Sequence, residues 1–167
     1  MYDKLNVLQG KVIPKFYGYY EMDGLWEANP DCEFACILLE DCGDPIPFNG
    51  FFDFTQEDRK TIFKKLVEIH REGICPIHFS EDSIVVKQGD YRIIGLDKAW
   101  NHKCDWRDVM DQYMETSIHD YEKAFGCASL AMNGDKLGLW KLKYFDRERP
   151  EWPDYPEKEV PSTQTEE

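Results

Sequence analysis

Two side chains near the middle of the chain could take part in proton or metal chemistry. His78 lies in a predicted loop and could accept a proton near neutral pH, and Asp97 could bind a divalent cation such as Mg²⁺. A single carboxylate makes a poor magnesium site, and a loop histidine usually bonds to nearby backbone. The favoured interpretation is therefore structural, with Asp97 capping a turn or pairing with Lys98 or Arg92.

The helix that precedes these residues is the clearest element that the sequence predicts. Thr55 followed by Asp58 is a variant of the capping box, and Gly73 is a typical residue after a helix end. Between them, apolar positions recur at a spacing of three or four residues, as on one buried helix face. These positions are Ile62, Phe63, Leu66, Ile69 and His70.

Strand-forming segments lie on both sides of this helix. Residues 12–20 and 34–40 are rich in β-branched and aromatic side chains, which predicts an antiparallel hairpin whose second strand is mostly buried. Turn residues fill the connection over residues 22–31. Residues 83–87 and 91–96 predict a second hairpin with a tight turn.

The remaining segments are expected to link or extend these units. Residues 44–47 break the strand pattern and are expected to link two layers. Asp105 is a candidate cap for a second long helix that runs to about Phe125, and residues 127–144 leave room for one more short helix. The proline-rich, acidic residues 146–167 predict a disordered tail.

Composition excludes several classes of protein. A formal charge of −13 argues against nonspecific binding to nucleic acid or to an anionic membrane surface. The start of the chain lacks the pattern of a signal peptide, and its longest apolar run is too short to span a bilayer. We expect an intracellular, cytoplasmic protein.

The six cysteines raise the question of disulfides or a metal. The tight pairs with ligand-type side chains are Cys32 with Cys36 and His102 with Cys104, and neither has the CxxC spacing of structural zinc sites. We therefore expect free, buried thiols and no bound metal, with zinc as the less favoured alternative.

The order of these elements resembles the hinge and lower lobe of the protein kinase-like superfamily. The resemblance covers about residues 1–125 and is nearest to the divergent fungal kinase-like proteins, with the aminoglycoside phosphotransferase-like branch as second choice. It is carried by short motifs in a fixed order. These are Leu8-Gln9-Gly10, Ile13-Pro14, Tyr17-Gly18, Leu38 to Gly43, Ile69-His70 with Gly73-Ile74, Arg92-Ile93-Ile94, Ala99, and His102 with Cys104, a pair that recurs in the fungal relatives.

Three positions that this resemblance marks as catalytic carry the wrong side chains. Counted from Gly73, the His-Arg-Asp motif of kinases falls on residues 76–78, so that His78 stands in place of the catalytic aspartate. Ser83 stands in place of the metal-binding asparagine, and Gly95 in place of the metal-binding aspartate. The resemblance thus implies a degenerate, pseudokinase-like domain without catalytic residues.

Other parts of the kinase site have only partial counterparts. Glu40, Asp41 and Cys42 match the hinge whose backbone binds adenine in active relatives, so weak binding of ATP and Mg²⁺ stays open. Few residues precede the first strand, and we expect a glycine-rich loop and its lysine strand to be missing.

Together these observations predict an α+β fold with a kinase-like lower lobe and a remnant β-hairpin of the upper lobe. Residues 1–145 would form this partial domain, with hairpin and hinge over 1–43 and a mostly helical lobe over 53–145. The expected function is protein binding or regulation without catalysis, through a protein partner or self-association at the hairpin or the lower lobe. The alternative is a divergent phosphotransferase that uses His78 and Asp97.

Overall fold

A computed structural model describes residues 1–22, 34–47 and 50–143, and over them the fold is a mixed α+β arrangement with small sheets. Within these residues the α-helices are α1 (Gly50–Asp53), α2 (Gln56–Arg71), α3 (Met110–Tyr113), α4 (Tyr121–Phe125) and α5 (Ala128–Lys136). The strands are β1 (Phe16–Met22), β2 (Phe34–Leu39), β3 (Asp44–Pro45), β4 (Ile74–Cys75), β5 (Ile84–Lys87), β6 (Asp90–Ile93), β7 (Trp100–Asn101), β8 (Ser117–Ile118) and β9 (Lys141–Leu142). Short 3₁₀ turns cover Tyr2–Leu8, Glu81–Ser83 and Leu96–Lys98.

Helix α2 confirms the predicted helix in its start, end and buried face. The backbone N–H of Asp58 donates to the Thr55 hydroxyl, and the Thr55 N–H donates to the Asp58 carboxylate. Gly73 follows the helix with a φ of +79°, a conformation that glycine adopts without strain. The predicted apolar face is buried, including His70, because it packs against strands β4 and β6 and helix α5.

Both predicted hairpins form, with corrected limits. β1 begins at Phe16 rather than at residue 12, because Val12 and Ile13 are buried in the core instead. The second hairpin, β5 with β6, turns through Gln88 and Gly89, which both have positive φ.

The prediction that the second strand is mostly buried is wrong. In β2, Ile37 and Leu38 are 49% and 52% exposed. The reason lies in the sheet: over the described residues β1 and β2 form a two-stranded ladder, and two strands alone cannot cover both of their faces.

Residues 44–47 do more than link two layers. Asp44 and Pro45 pair with Val86 and Val85 as strand β3, which makes the second hairpin a three-stranded sheet. Proline fits this place because the strand lies at the sheet edge, where a missing backbone N–H costs no ladder bond.

The predicted second long helix is wrong. The chain from Asp105 to Phe125 contains only the short helices α3 and α4, separated by Glu115 with a φ of +58° and by strand β8. Strand β8 pairs in parallel with β9, so hydrogen bonds to a distant segment replace those of a continuous helix. Asp120, not Asp105, is the capping residue, since its carboxylate accepts the Lys123 N–H at 3.1 Å. The short helix expected within 127–144 is present as α5.

One continuous apolar core joins the helices with β4, β5, β6, β8 and β9, from Leu5 near the N-terminus to Leu142 in β9, whereas β1 and β2 contribute none of its buried residues. No helix in the described residues has the length and apolar character needed to cross a membrane. The predicted tail over 146–167 and most of the turn over 22–31 lie outside the described residues.

Gly134 in helix α5 gives a first test of the packing. Replacing a helical glycine with alanine usually stabilises a helix, by about 0.5–1 kcal/mol. Here an added Cβ would lie 2.0 Å from the Trp140 ring, and the ring is fully buried. We expect Gly134→Ala to lower the free energy of unfolding by about 1–3 kcal/mol in urea titrations.

The matched control for Gly134 is Met132→Ala in the same helix, since Met132 is 43% exposed. This change should alter stability by less than about 0.5 kcal/mol. A Gly134→Ala variant as stable as the unaltered chain would contradict the described packing of Trp140 on α5.

Candidate functional site

A cleft of about 570 Å³ lies between the β1–β2 hairpin and the segment that follows β6. The hairpin contributes apolar and aromatic side chains to its wall, among them Tyr19, Ile37 and Leu39. Tyr19 and Ile37 are directly opposite each other across the two strands, so both side chains lie on the same face of the hairpin. The opposite wall contains Gly95 and Asp97.

The structure brings together Ser83 and Gly95, two of the positions that the kinase resemblance marks. A Cβ built on Gly95 would lie 3.8 Å from the Ser83 hydroxyl oxygen. That hydroxyl is already engaged, since it donates to the His78 carbonyl at 2.9 Å and accepts the Ser80 N–H at 3.3 Å. Neither position offers a carboxylate or an amide oxygen to a cation, which are the ligands that Mg²⁺ prefers.

His78 and Asp97 are both exposed, and only Asp97 is part of the cleft wall. Before His78, Pro76 is buried whereas Ile77 is 49% exposed. The expected pairing of Asp97 with Arg92 is wrong, because Arg92 forms an ion pair with Asp90.

Arg92 is held in the core rather than at the cleft. Its guanidinium also donates to the Gly10 carbonyl at 2.9 Å, and the side chain is almost fully buried. A buried cation needs such partners, which explains why Arg92 is not available to Asp97. Nor does Asp97 cap the turn over Leu96–Lys98, because the residue at the N-terminal capping position is Gly95, which has no side chain.

The charged side chains along the cleft wall are negative. Its charged side chains are the carboxylates of Asp3 and Asp97. Burial, and after it the nearby charge of Asp97, raises the pKa of the Tyr2 hydroxyl. A polyphosphate placed here would therefore meet like charges instead of the lysine and metal that kinases provide.

The hinge-like residues lie around a second, smaller cavity of about 280 Å³, together with Lys87 and Arg92. The Glu40 carboxylate accepts the Lys15 N–H at 3.1 Å, and Asp41 pairs with Lys87 at 2.8 Å. Hydrogen bonds from Lys87 and from the Gly43 N–H hold the pKa of Asp41 below its usual value.

Cys42 completes the hinge-like segment. Its side chain is buried, and burial raises the pKa of the thiol, with the neighbouring Glu40 charge adding to the effect. A protonated, buried thiol is unreactive, so Cys42 contributes packing to this cavity rather than a nucleophile.

A separate group of side chains, two of them buried and two half-buried, forms a cluster of two histidines and two cysteines. Its members are His70, His102, Cys104 and Cys127, and one ligand-type atom of each lies within 4.8 Å of the others. The Cys127 sulfur is 3.4 Å from His102 Nε2 and 3.8 Å from His70 Nδ1.

The electrostatics of this cluster follow from burial. Burial, together with the neighbouring His102, lowers the pKa of His70 to about 4. Burial also raises the pKa of the Cys127 thiol to about 11. Without a bound cation, the His70 imidazole and the Cys127 thiol are therefore both neutral at pH 7.

Sequence patterns pointed to only half of this cluster. The His102–Cys104 pair is visible in the sequence, whereas His70 has the spacing of an ordinary core residue and Cys127 stands alone. Cys127 is 57 residues from His70 and 25 from His102. A ligand-type residue on an otherwise apolar helix face was the one available signal for His70.

The described cysteines are free thiols, as expected, but their burial is mixed. Cys42, Cys75 and Cys127 are buried, Cys104 is half-buried and Cys36 is exposed. Cys32 lies outside the described residues.

Comparison with known proteins gives no match, either to a protein-family model or to a curated protein. The cleft and the histidine–cysteine cluster are thus the two features from which a function can be inferred.

Proposed function

We propose that this chain is a catalytically inactive, kinase-like module that binds a partner protein through its β1–β2 hairpin and the cleft beside it. The observation that carries the proposal is the exposure of apolar side chains on both hairpin faces. Tyr19 and Ile37 are 53% and 49% exposed on the cleft face, and Tyr20 and Leu38 are 55% and 52% exposed on the other. Large exposed apolar patches of this kind usually mark interaction surfaces.

Side chains at three positions, rather than the length of the chain, support the lack of catalysis. Phosphoryl transfer requires a base next to the substrate hydroxyl and ligands for Mg²⁺. The corresponding positions carry His78, whose side chain is not in the cleft wall, the engaged Ser83 and the side-chain-free Gly95. Asp97 remains as a single exposed carboxylate.

The chemistry of the cleft indicates what kind of segment would bind. Its wall combines aromatic and aliphatic side chains with the two carboxylates of Asp3 and Asp97. An extended segment with apolar residues and a lysine or arginine would match both features, because it can bury apolar area and compensate the negative charge. The overall charge of −13 also favours a basic partner.

Nucleotide binding provides the first test of the proposal. We expect the melting temperature to be the same with and without Mg-ATP, because a ligand that does not bind the folded chain cannot stabilise it. A magnesium-dependent rise of several degrees that Asp97→Ala abolishes would instead support the divergent phosphotransferase and overturn the inactive module. His78→Gln would then show whether the histidine acts as a base.

Peptide selection on the immobilised full chain provides the second test. We expect the selected peptides to combine apolar and basic residues and to lose at least about tenfold in affinity for Ile37→Asp, which places a charge on the cleft face. Leu38→Asp makes a comparable change one position away, on the opposite face, and should lower the affinity less than Ile37→Asp because Leu38 is not part of the cleft wall.

Two results decide whether the cleft face is the binding surface and whether a second copy of the chain binds there. Peptides that bind Ile37→Asp as tightly as the unaltered chain would exclude the cleft face as the binding surface. Sedimentation of the unaltered chain over a range of concentrations shows whether a second copy is the partner, and in that case Ile37→Asp should give a monomer.

A further inference from the structure

We propose that His70, His102, Cys104 and Cys127 bind one Zn²⁺ ion in tetrahedral coordination, which cross-links three parts of the fold. Their ligand atoms all lie within 4.8 Å of one another. Zn–S bonds of about 2.3 Å and Zn–N bonds of about 2.0–2.1 Å at tetrahedral angles place ligand atoms about 3.3–3.8 Å apart. The two measured separations from the Cys127 sulfur, 3.4 Å and 3.8 Å, fall in this range.

The ligands come from elements that backbone bonds already hold together. His70 lies in the last turn of α2, and the N–H of His102 donates to the Gly73 carbonyl just after that helix at 2.7 Å. The pairing of β4 with β7 fixes the same two segments further along. The site is thus largely preformed, and little backbone movement is needed to bind a metal.

The third element is the start of α5, where Cys127 is the N-terminal capping residue. Gly126 before it has a φ of +75°, and a Cβ there would lie 2.2 Å from the Asp105 carbonyl oxygen. This close approach holds the segment after Cys104 against the start of α5.

The cluster is poorly satisfied without a cation. His70 is fully buried, and its Nδ1 faces the Cys127 sulfur at 3.8 Å, a long and therefore weak hydrogen bond. A buried polar atom without a close partner destabilises the fold, and a cation bound at Nδ1 would remove that penalty. Two imidazoles and two sulfurs that face each other, two of them buried and two half-buried, are better explained by a common ligand than by packing alone.

The donor set favours zinc and a structural role. Thiolate and imidazole donors in tetrahedral geometry are typical of Zn²⁺, whereas Mg²⁺ and Ca²⁺ require oxygen donors. On binding, each thiol releases its proton to solvent and forms a Zn–S bond. The two thiolates then neutralise the charge of the ion, which suits a buried site. Four protein ligands leave no position for a substrate or a water molecule.

Metal content of the full chain tests the proposal directly. We expect the chain expressed with zinc to retain about one Zn²⁺ per molecule after desalting, as for a structural site with four ligands. Replacing zinc with Co²⁺ should give the visible absorption of tetrahedral cobalt together with a thiolate-to-cobalt charge-transfer band. Cys127→Ser should lose both the zinc and the charge-transfer intensity of its sulfur.

Cys75→Ser is the matched control. Cys75 is also buried and lies close to α5, with its sulfur 3.2 Å from the Ser129 hydroxyl oxygen, but it is not a member of the cluster. This variant should keep the zinc and the cobalt spectrum of the unaltered chain. A Cys127→Ser variant that keeps as much zinc as Cys75→Ser would overturn the proposed site.

A measurement on the unaltered chain tests the proposed zinc site even if the variants do not fold. The folded, unaltered chain is titrated with Co²⁺ and then treated with iodoacetamide, with and without the metal. We expect the metal to protect the half-buried Cys104 but not the exposed Cys36 from alkylation, whereas the buried Cys127 should react slowly in both states. If the folded chain gives no tetrahedral cobalt spectrum, the proposal is wrong.

Discussion

Replacing Trp140 with alanine is expected to lower the free energy of unfolding by about 3–5 kcal/mol, the largest effect of any single substitution considered. Trp140 is 1% exposed, and its ring centroid lies 4.5 Å from that of Phe125 and 5.2 Å from that of Phe63. Its indole N–H donates to the Ala131 carbonyl at 2.9 Å. Alanine would remove these ring contacts and leave a cavity at the junction of α2, α4 and α5.

Urea titrations followed by circular dichroism measure this change. Trp100→Ala is the control, because Trp100 is 59% exposed and its loss should cost less than about 0.5 kcal/mol. Trp140→Phe should fall between the two, since it keeps an aromatic ring but loses the indole hydrogen bond. Equal effects at Trp140 and Trp100 would contradict the described core.

Acid is expected to destabilise the metal-free chain through His70. The pKa of His70 is lowered from 6.5 to about 4 in the folded chain, first by burial and then by His102. The folded chain therefore binds this proton less readily than the unfolded chain, so acid favours unfolding. This contribution of His70 to the free energy of unfolding is fully present above pH 6.5. It is lost as the pH falls toward 4, by about 3 kcal/mol in total.

The measurement is the free energy of unfolding between pH 7 and 4 in the presence of a chelator, so that the imidazole itself titrates. His70→Phe keeps a ring but cannot titrate, and its pH dependence should be weaker by that amount. His119→Asn, a change at an exposed histidine, should keep the dependence of the unaltered chain. Identical slopes for His70→Phe and the unaltered chain would exclude His70 as the acid-sensitive group.

The elements that the sequence predicts well depend on short-range signals. The capping pair of Thr55 and Asp58, the apolar face of α2 and the stop at Gly73 are all encoded within 19 residues, and the helix forms as expected. The β5–β6 hairpin likewise depends on a turn at Gln88 and Gly89 next to two strand-forming segments. These local preferences favour the same secondary structure as the tertiary packing does, so they can be recognised from the sequence alone.

Elements that depend on distant partners could not be predicted in this way. The segment from Asp105 to Phe125 has helical character, yet β8 within it pairs with β9, 24 positions further along. Asp44 and Pro45 look like a break but complete a sheet with β5. In both cases hydrogen bonds to a strand distant in the sequence outweigh the intrinsic secondary-structure propensity of the segment, which contributes less free energy.

The same distinction between local and long-range signals applies to the two candidate sites, the cleft and the histidine–cysteine cluster. The sequence by itself determined the residue types His78, Ser83 and Gly95, for which the kinase resemblance predicts a loss of catalytic side chains, because that comparison needs only residue types and spacing. Only the tertiary structure decided that Ser83 and Gly95 are neighbours, that the hairpin exposes both of its faces, and that His70 and Cys127 join His102 and Cys104. Metal ligation and surface exposure depend on distances between segments far apart in the chain, and packing of the whole core sets those distances.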